Sequence, residues 1–307
     1  MFNKNSNKLL WIVLAILVIA VILIFSNEST KNERTFKEEL VSIDTSKVTS
    51  ISIYPKSLQG KEVRLIKEKT LWKVTSELGK IYTVPETKIK NLINQLIMIK
   101  PERVAARSKD KWKEYQIDSA STRIEVNEGS KKVLDLMIGK FAFQQPRTMT
   151  TFVKLAGDND IYEVSGFLDM FFNRNADSYK DETVIKSERQ KWNKLKFESV
   201  NPDSSFELVK INNVWFADGS KTDSVKTDNV LNAIERISNS NYKNIDKASL
   251  PNFTSKLTID VENSSPIIIS AYRDSTNYII ESSLNKENYF DGKNIGGKIF
   301  FRKNTLF

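Results

Sequence analysis

The 307-residue chain contains no cysteine and no histidine. Without cysteine there can be no disulfide, no thiolate metal site, no thiol nucleophile and no lipoprotein-type lipid attachment. Without histidine the chain lacks the commonest general base and the commonest transition-metal ligand. Zinc proteases, Ser-His-Asp hydrolases and Cys-His enzymes are therefore excluded, whatever the fold. Polar residues are also missing from one long N-terminal stretch, and small A-x-A residues are missing just after it.

That stretch runs from Leu9 to Phe25, seventeen apolar residues without a break. As a helix it would span roughly 25 Å, near the short end of what crosses a hydrocarbon core. Trp11 and a snorkelling Lys8 make up the shortfall. A soluble core helix would carry polar residues every third or fourth position. A cleaved signal peptide would end in small residues, whereas Ile24 and Phe25 are bulky. The expectation is an uncleaved anchor. Lys4 and Lys8 precede it, and Glu28, Lys31, Glu33 and Arg34 follow in balanced signs, so the short N-terminal tail is expected in the cytoplasm. Residues 27–307 are then extracytoplasmic. Their lysine-rich surplus, part of a formal charge of +9 for the chain, reads as a solvated surface, and nucleic acid is not an expected partner.

After a polar linker, residues 27–45, the chain alternates. "VTSISIY", "EVRLIKE" and "LWKV" read as strands of period two. "VPETKIKNLINQLIMIK" changes period, with Ile89, Leu92, Ile93 and Leu96 at helical spacing and Pro101 beyond its end. "STRIEVNEG", "KKVLDLMIG", "TFVKLAG" and "DIYEV" read as strands again, and "GFLDMFFNRNA" as a short helix. The same order then recurs. "KLKFESV", "SFELVKI" and "VWFA" match the first three strands and set Trp215 opposite Trp72. "SVKTDNVLNAIERIS" matches the helix, with Val225, Val230, Ile234 and Ile237 answering Val84, Ile89, Ile93 and Leu96. "SKLTIDVENSSPIIISAY" and "NYIIESS" complete the copy. The expected fold is α+β: an N-terminal transmembrane helix (1–26 with its tail), the linker, and two tandem, mostly antiparallel β-sheet modules each covered by a helix, 46–187 and 188–307. Each tryptophan is expected to fill the gap between sheet and helix, sugar stacking being the alternative.

Trp72, the helix bearing Leu92 and Leu96, "YQID" at Tyr115–Asp118, "LMIG" ending at Gly139, "FVK" at Phe152–Lys154, "IYEV" at Ile161–Val164 and "YKDETVI" at Tyr179–Ile185 carry a resemblance. Over about residues 60–186 the chain resembles the bacterial domain-of-unknown-function family 4340, DUF4340. It departs where relatives have Gly-Leu after the tyrosine and Pro after the aspartate of "YQID", and Ala-Asp before the helix. The resemblance implies a protein of the bacterial cytoplasmic membrane, with genes often beside ABC transporter auxiliary components of the gliding-motility type. It implies no catalytic residue.

Several motifs invite a chemical reading. Gly292–Lys298, "GKNIGGK", has phosphate-loop spacing, but Ile299 replaces the magnesium-binding hydroxyl and "IFF" reads as a strand, so a hairpin turn is expected. "GDND" (Gly157–Asp160) and "NKENYFDG" (Asn285–Gly292) bunch oxygens without an EF-hand register and read as turns. Ser108–Lys111 and Ser240–Lys243 show serine–lysine spacing without the partner motifs. Glu38/Glu39 and Asp181/Glu182 are paired acids in charged stretches. Ala106–Tyr115 concentrates basic and aromatic residues and reads as a solvated turn, with a docking surface as the alternative. Asn27, Asn252 and Asn263 head glycosylation sequons. No catalytic, cofactor-binding or metal-ligating residue is assigned, and no cofactor is expected. The expected function is that of a non-enzymatic, membrane-tethered accessory protein with a membrane or envelope protein partner, of the ABC transport kind. The alternative is a module that binds envelope polysaccharide or wall polymer.

Overall fold

The structure is a computed structural model that describes Leu14, Leu17, Val18 and residues 37–144, 148–273 and 278–307. Val48–Tyr54 (β1), Val63–Glu68 (β2), Leu71–Thr75 (β3) and Ile81–Val84 (β4) precede the helix Glu86–Ile97 (α1). Pro101–Ala106 (β5), Thr122–Glu128 (β6), Lys131–Gln144 (β7), Thr148–Leu155 (β8) and Ile161–Ser165 (β9) follow it. A helical turn, Asp169–Phe172 (α2), and Thr183–Lys186 (β10) lead onward. Then come Trp192–Ser199 (β11), Phe206–Ile211 (β12), Val214–Ala217 (β13), Ser220–Lys221 (β14) and the helix Ser224–Glu235 (α3). Arg236–Ser238 (β15), Tyr242–Lys243 (β16), Phe253–Val261 (β17), Ile267–Arg273 (β18), Tyr278–Ser282 (β19), Asn285–Asp291 (β20) and the turn Gly296–Ile299 (α4) complete the series.

The chain is mostly antiparallel β with few helices. Two large sheets dominate, in the orders β4-β3-β2-β1-β6-β7-β8-β9-β5 and β14-β13-β12-β11-β17-β18-β19-β20-β16. Position for position these are one topology, with the final edge strand in each supplied by the segment after the helix. Tight turns set the registers. Asn212-Asn213 and Asp218-Gly219 are left-handed at both residues, the conformation that matches the twist of paired strands. Trp72 lies opposite Lys67 on β2, and Trp215 lies opposite Lys210 on β12.

Two compact units emerge from the packing: described residues up to Glu62 with Leu92–Asn173, and Val63–Asn91 with Arg174–Phe307. In the first, Ile51, Ile53, Ile124, Val126, Leu134 and Leu136 are buried at alternate strand positions. In the second, Leu231 and Ile234 of α3 join Leu195, Leu208, Trp215, Leu257 and Ile259 in one apolar cluster. Trp192 is fully buried, its indole N–H donating to the Ser187 hydroxyl at 2.9 Å.

Several local expectations need correction. Val225 is 68% exposed, and Thr227, Leu231 and Ile234 form the buried stripe of α3 instead. Ile237 lies on β15, which pairs with β10, because the helix stops at Glu235. "NKENYFDG" is not a turn: Asn285–Asp291 is β20, paired with β19 and β16. "IFF" is not a strand, since its Ile299 closes the single turn α4. The expected anchor lies outside the described residues apart from Leu14, Leu17 and Val18. Among the described residues no helix is long and apolar enough to cross a membrane.

Candidate functional site

Lys154 continues the buried face of β8 and is only 1% exposed. Period two places an apolar residue there, and a cation so buried must find oxygen partners. It finds three backbone carbonyls, Leu155 at 2.9 Å, Ala156 at 3.3 Å and Asp158 at 2.8 Å. The Trp112 ring centroid lies 4.3 Å from the ammonium, within cation–π range. Burial pulls the Lys154 pKa down, against the opposing pull of the Asp158 charge. The "GDND" turn is thus organised around an internal ammonium. The Asp158 carboxylate accepts from the Asp160 N–H and the Tyr162 hydroxyl and pairs with Lys37 at 2.9 Å. Burial works to raise its pKa, but Lys37, the amide and the phenol outweigh it and hold it at about 2.

Two motif segments meet beside this turn. The Lys140 N–H donates to the Tyr115 carbonyl at 2.9 Å, and a β-carbon on Gly139 would stand 2.2 Å from that same oxygen. Only glycine permits the approach. Tyr115 packs edge-on to Phe152 at 4.6 Å. The aromatics of Ala106–Tyr115 therefore pack inward, onto Phe152 and Lys154.

Lys180, fully buried, stands in the second unit between two phenol rings. Its ammonium is 3.7 Å from the Tyr82 ring centroid and 4.9 Å from that of Tyr242. The Asp177 carboxylate supplies the counter-charge at 2.6 Å. Burial, reinforced by nearby carboxylates, raises the pKa of both phenols. They stay neutral at neutral pH, and the arrangement serves as a clamp rather than a proton relay. Lys88 donates to Glu182 at 2.6 Å and to the Ser178 carbonyl at 2.9 Å. Glu287 accepts from the Thr83 N–H at 2.6 Å and the Thr83 hydroxyl at 2.8 Å. That carboxylate occupies backbone hydrogen-bonding capacity on edge strand β4, which an unpaired edge would offer to another strand.

Lys111 pairs with Glu114 at 3.0 Å and its N–H donates to the Ser108 carbonyl at 3.2 Å, and Lys243 pairs with Asp291 at 3.3 Å. In the phosphate-loop lookalike the Ile295 and Gly296 N–H groups both donate to the Gly292 carbonyl, and Gly292 itself is pressed against Tyr278. Asn285 of "NKENYFDG" is turned to the carbonyls of Asp181 and Thr183. Among the described residues no three acids gather as a metal site would require.

The second unit has concavities large enough for a small ligand. One, of 410 Å³, is lined by Arg189, Lys210, Asn213, Trp215, Lys221 and Asp228, among others. Another, of 620 Å³, is lined by Phe197, Tyr278, Phe300, Phe301, Arg273 and Arg302, among others. Both fall in the size range of small-ligand sites. Sequence reasoning singled out Trp215 but not the cations around it, because Arg189, Lys210 and Lys221 come from three separate elements.

The family model described as "Domain of unknown function (DUF4340)" matches residues 72–255. The chain belongs to the DUF4340 family. No curated protein and no solved structure matches it. The matched span begins at Trp72 and runs into β17, so the family covers parts of both sheets and extends past residue 186. Lys154, Lys180, Gly139 and Trp215 all fall within it. In this DUF4340 chain, "FVK" supplies the turn-centring ammonium and "YKDETVI" the caged one.

Proposed function

We propose that this chain is a membrane-tethered, extracytoplasmic accessory protein that presents surface to a protein partner and carries out no chemistry of its own. The observation that carries the reading is the unbroken apolar run Leu9–Phe25 behind Lys4 and Lys8. It is long enough to insert, and its flanks orient the remaining residues outward. In the finer architecture of this reading, two tandem modules, each with a helix on its sheet, follow the anchor. The tether confines them near the bilayer, which raises their effective concentration toward a membrane partner without a tight site. The partner class put forward is an ABC-type transport machine, on the strength of the family resemblance. Consistent with a non-enzymatic role, the lysines of the two Ser-x-x-Lys motifs pair with carboxylates and the two buried lysines are held by structural contacts.

The test has two parts. The full-length protein should resist carbonate extraction while protease added outside the membrane digests its large domain. Release of a soluble form beginning near residue 27 would overturn the anchor. Crosslinking in intact membranes should then capture a membrane protein partner, and Ser108→Ala, Ser240→Ala and Lys298→Ala should leave that capture unchanged. Loss of capture in any of the three would place function in a motif judged accidental.

A further inference from the structure

The cavity beside Trp215 has the chemistry of a ligand site. Four pieces of the second unit converge on it: the turn before β11, the β12–β13 hairpin, β14, and the start of α3. Trp215 is 9% exposed and belongs to the apolar cluster that α3 covers. The core therefore fixes the ring in place while its remaining surface helps to wall a 410 Å³ space. In the first sheet the apolar Val84 stands opposite Trp72, whereas here β14 pairs Lys221 with Phe216. Thr222 comes next, and its N–H and hydroxyl are both turned back to the Trp215 carbonyl at 3.1 Å.

Charge in this cavity is unbalanced. Asp228 is matched by Arg189, with which it pairs directly. Lys210 extends over the Trp215 ring, 5.5 Å from its centroid, and donates to the Gln190 carbonyl at 2.8 Å. That carbonyl orients the ammonium but does not neutralise it. Among the described residues no carboxylate pairs with Lys210 or Lys221. The Asn213 amide and the Ser224 hydroxyl also line the space, and among the described residues neither side chain has a hydrogen-bond partner. An indole, an amide, a hydroxyl and two uncompensated ammonium groups suit one kind of ligand. The remaining indole surface offers an apolar contact to a ring, the amide and hydroxyl take its alcohols, and the lysines take an anionic substituent.

We propose that this cavity binds an acidic sugar unit, a pyranose ring bearing a carboxylate or a phosphate. The proposal goes beyond the tethering reading and stands or falls separately from it. A ring of that size fits the volume, and both substituents share the anionic chemistry that Lys210 and Lys221 recognise.

Titration of the full-length protein in detergent, followed by calorimetry, tests this. The probes are a galacturonic acid trisaccharide, glucose 6-phosphate, glucose and inorganic phosphate. At least one of the first two should bind at least tenfold more tightly than glucose and than inorganic phosphate. Whichever binds better identifies carboxylate or phosphate as the source of the charge. Lys221→Gln, at an exposed position that leaves the core untouched, should weaken that binding about tenfold, as expected for one charge-assisted contact. Raising the salt concentration should weaken it further. Trp215→Phe, whose folding is checked by circular dichroism, should weaken whichever acidic sugar the wild type binds, and unchanged binding would remove the indole from the site. Equal binding of glucose would remove the charge from the proposal, and equal binding of inorganic phosphate would remove the sugar. No binding of either acidic probe, or unchanged binding by Lys221→Gln, would overturn it outright. None of these outcomes touches carbonate resistance or partner capture.

Discussion

The ammonium of Lys154 stands 2.8 Å from the backbone oxygen of Asp158, and with it the "GDND" turn carries its own cation. Lys154→Met keeps most of the side-chain volume but takes the ammonium from three carbonyls, of which that of Leu155 keeps the Asp158 N–H. The expected cost is about 2–4 kcal/mol, the scale of buried polar groups left unsatisfied. Urea denaturation measures it, and an unchanged midpoint would show that the turn does not depend on the ammonium. Calcium should not raise the wild-type melting temperature, because the ammonium already occupies the turn's oxygens.

Asp158 gives that turn a defined acid response. Its folded pKa of about 2 lies below its ordinary value of 3.8. The ionised carboxylate therefore stabilises the fold fully above about pH 4, and this contribution is lost as pH falls toward 2. Asp158→Asn should be less stable than wild type at pH 6 by up to about 2 kcal/mol. The two proteins should converge near pH 2. A difference that persists undiminished at pH 2 would assign the effect to packing and not to charge.

Glycines separate two kinds of constraint. Gly139→Ala drives a β-carbon to 2.2 Å from the Tyr115 oxygen. Because that oxygen also accepts from Lys140, backbone must move, and a loss on the order of 3 kcal/mol or failure to fold is expected. Gly157→Ala meets nothing within 4 Å and should stay within about 0.5 kcal/mol of wild type. Thermal melts of the pair decide whether close approach is the operative constraint.

The Lys180 cage can be taken apart one member at a time. Lys180→Ala removes a fully buried side chain and its cation–π contacts, and should cost about 2–4 kcal/mol. Lys180→Met refills much of the volume between Tyr82 and Tyr242 and should recover about half of that. If methionine and alanine are equally damaging, the charge and not the volume is what the cage requires. Equilibrium denaturation followed by tryptophan fluorescence distinguishes the two.

Local chemistry was legible in the sequence because period and turn residues act over a few positions. Alternation marked the strands, and the spacing of Ile89, Leu92, Ile93 and Leu96 marked the buried face of α1, where all four are buried. The recurrence of these periods matched Trp72 with Trp215, and both lie opposite a lysine on the preceding strand. Where two conformations compete locally, the reading slipped. "NKENYFDG" is polar enough for a turn, yet pairing with β19 and β16 makes it β20. Tertiary structure alone decided what the charged residues do. The Lys180 cage draws on positions 82, 177, 180 and 242, and the Trp215 cavity on positions 189 to 228. No short pattern records such meetings, because a buried cation is tolerated only where distant oxygens and rings converge on it.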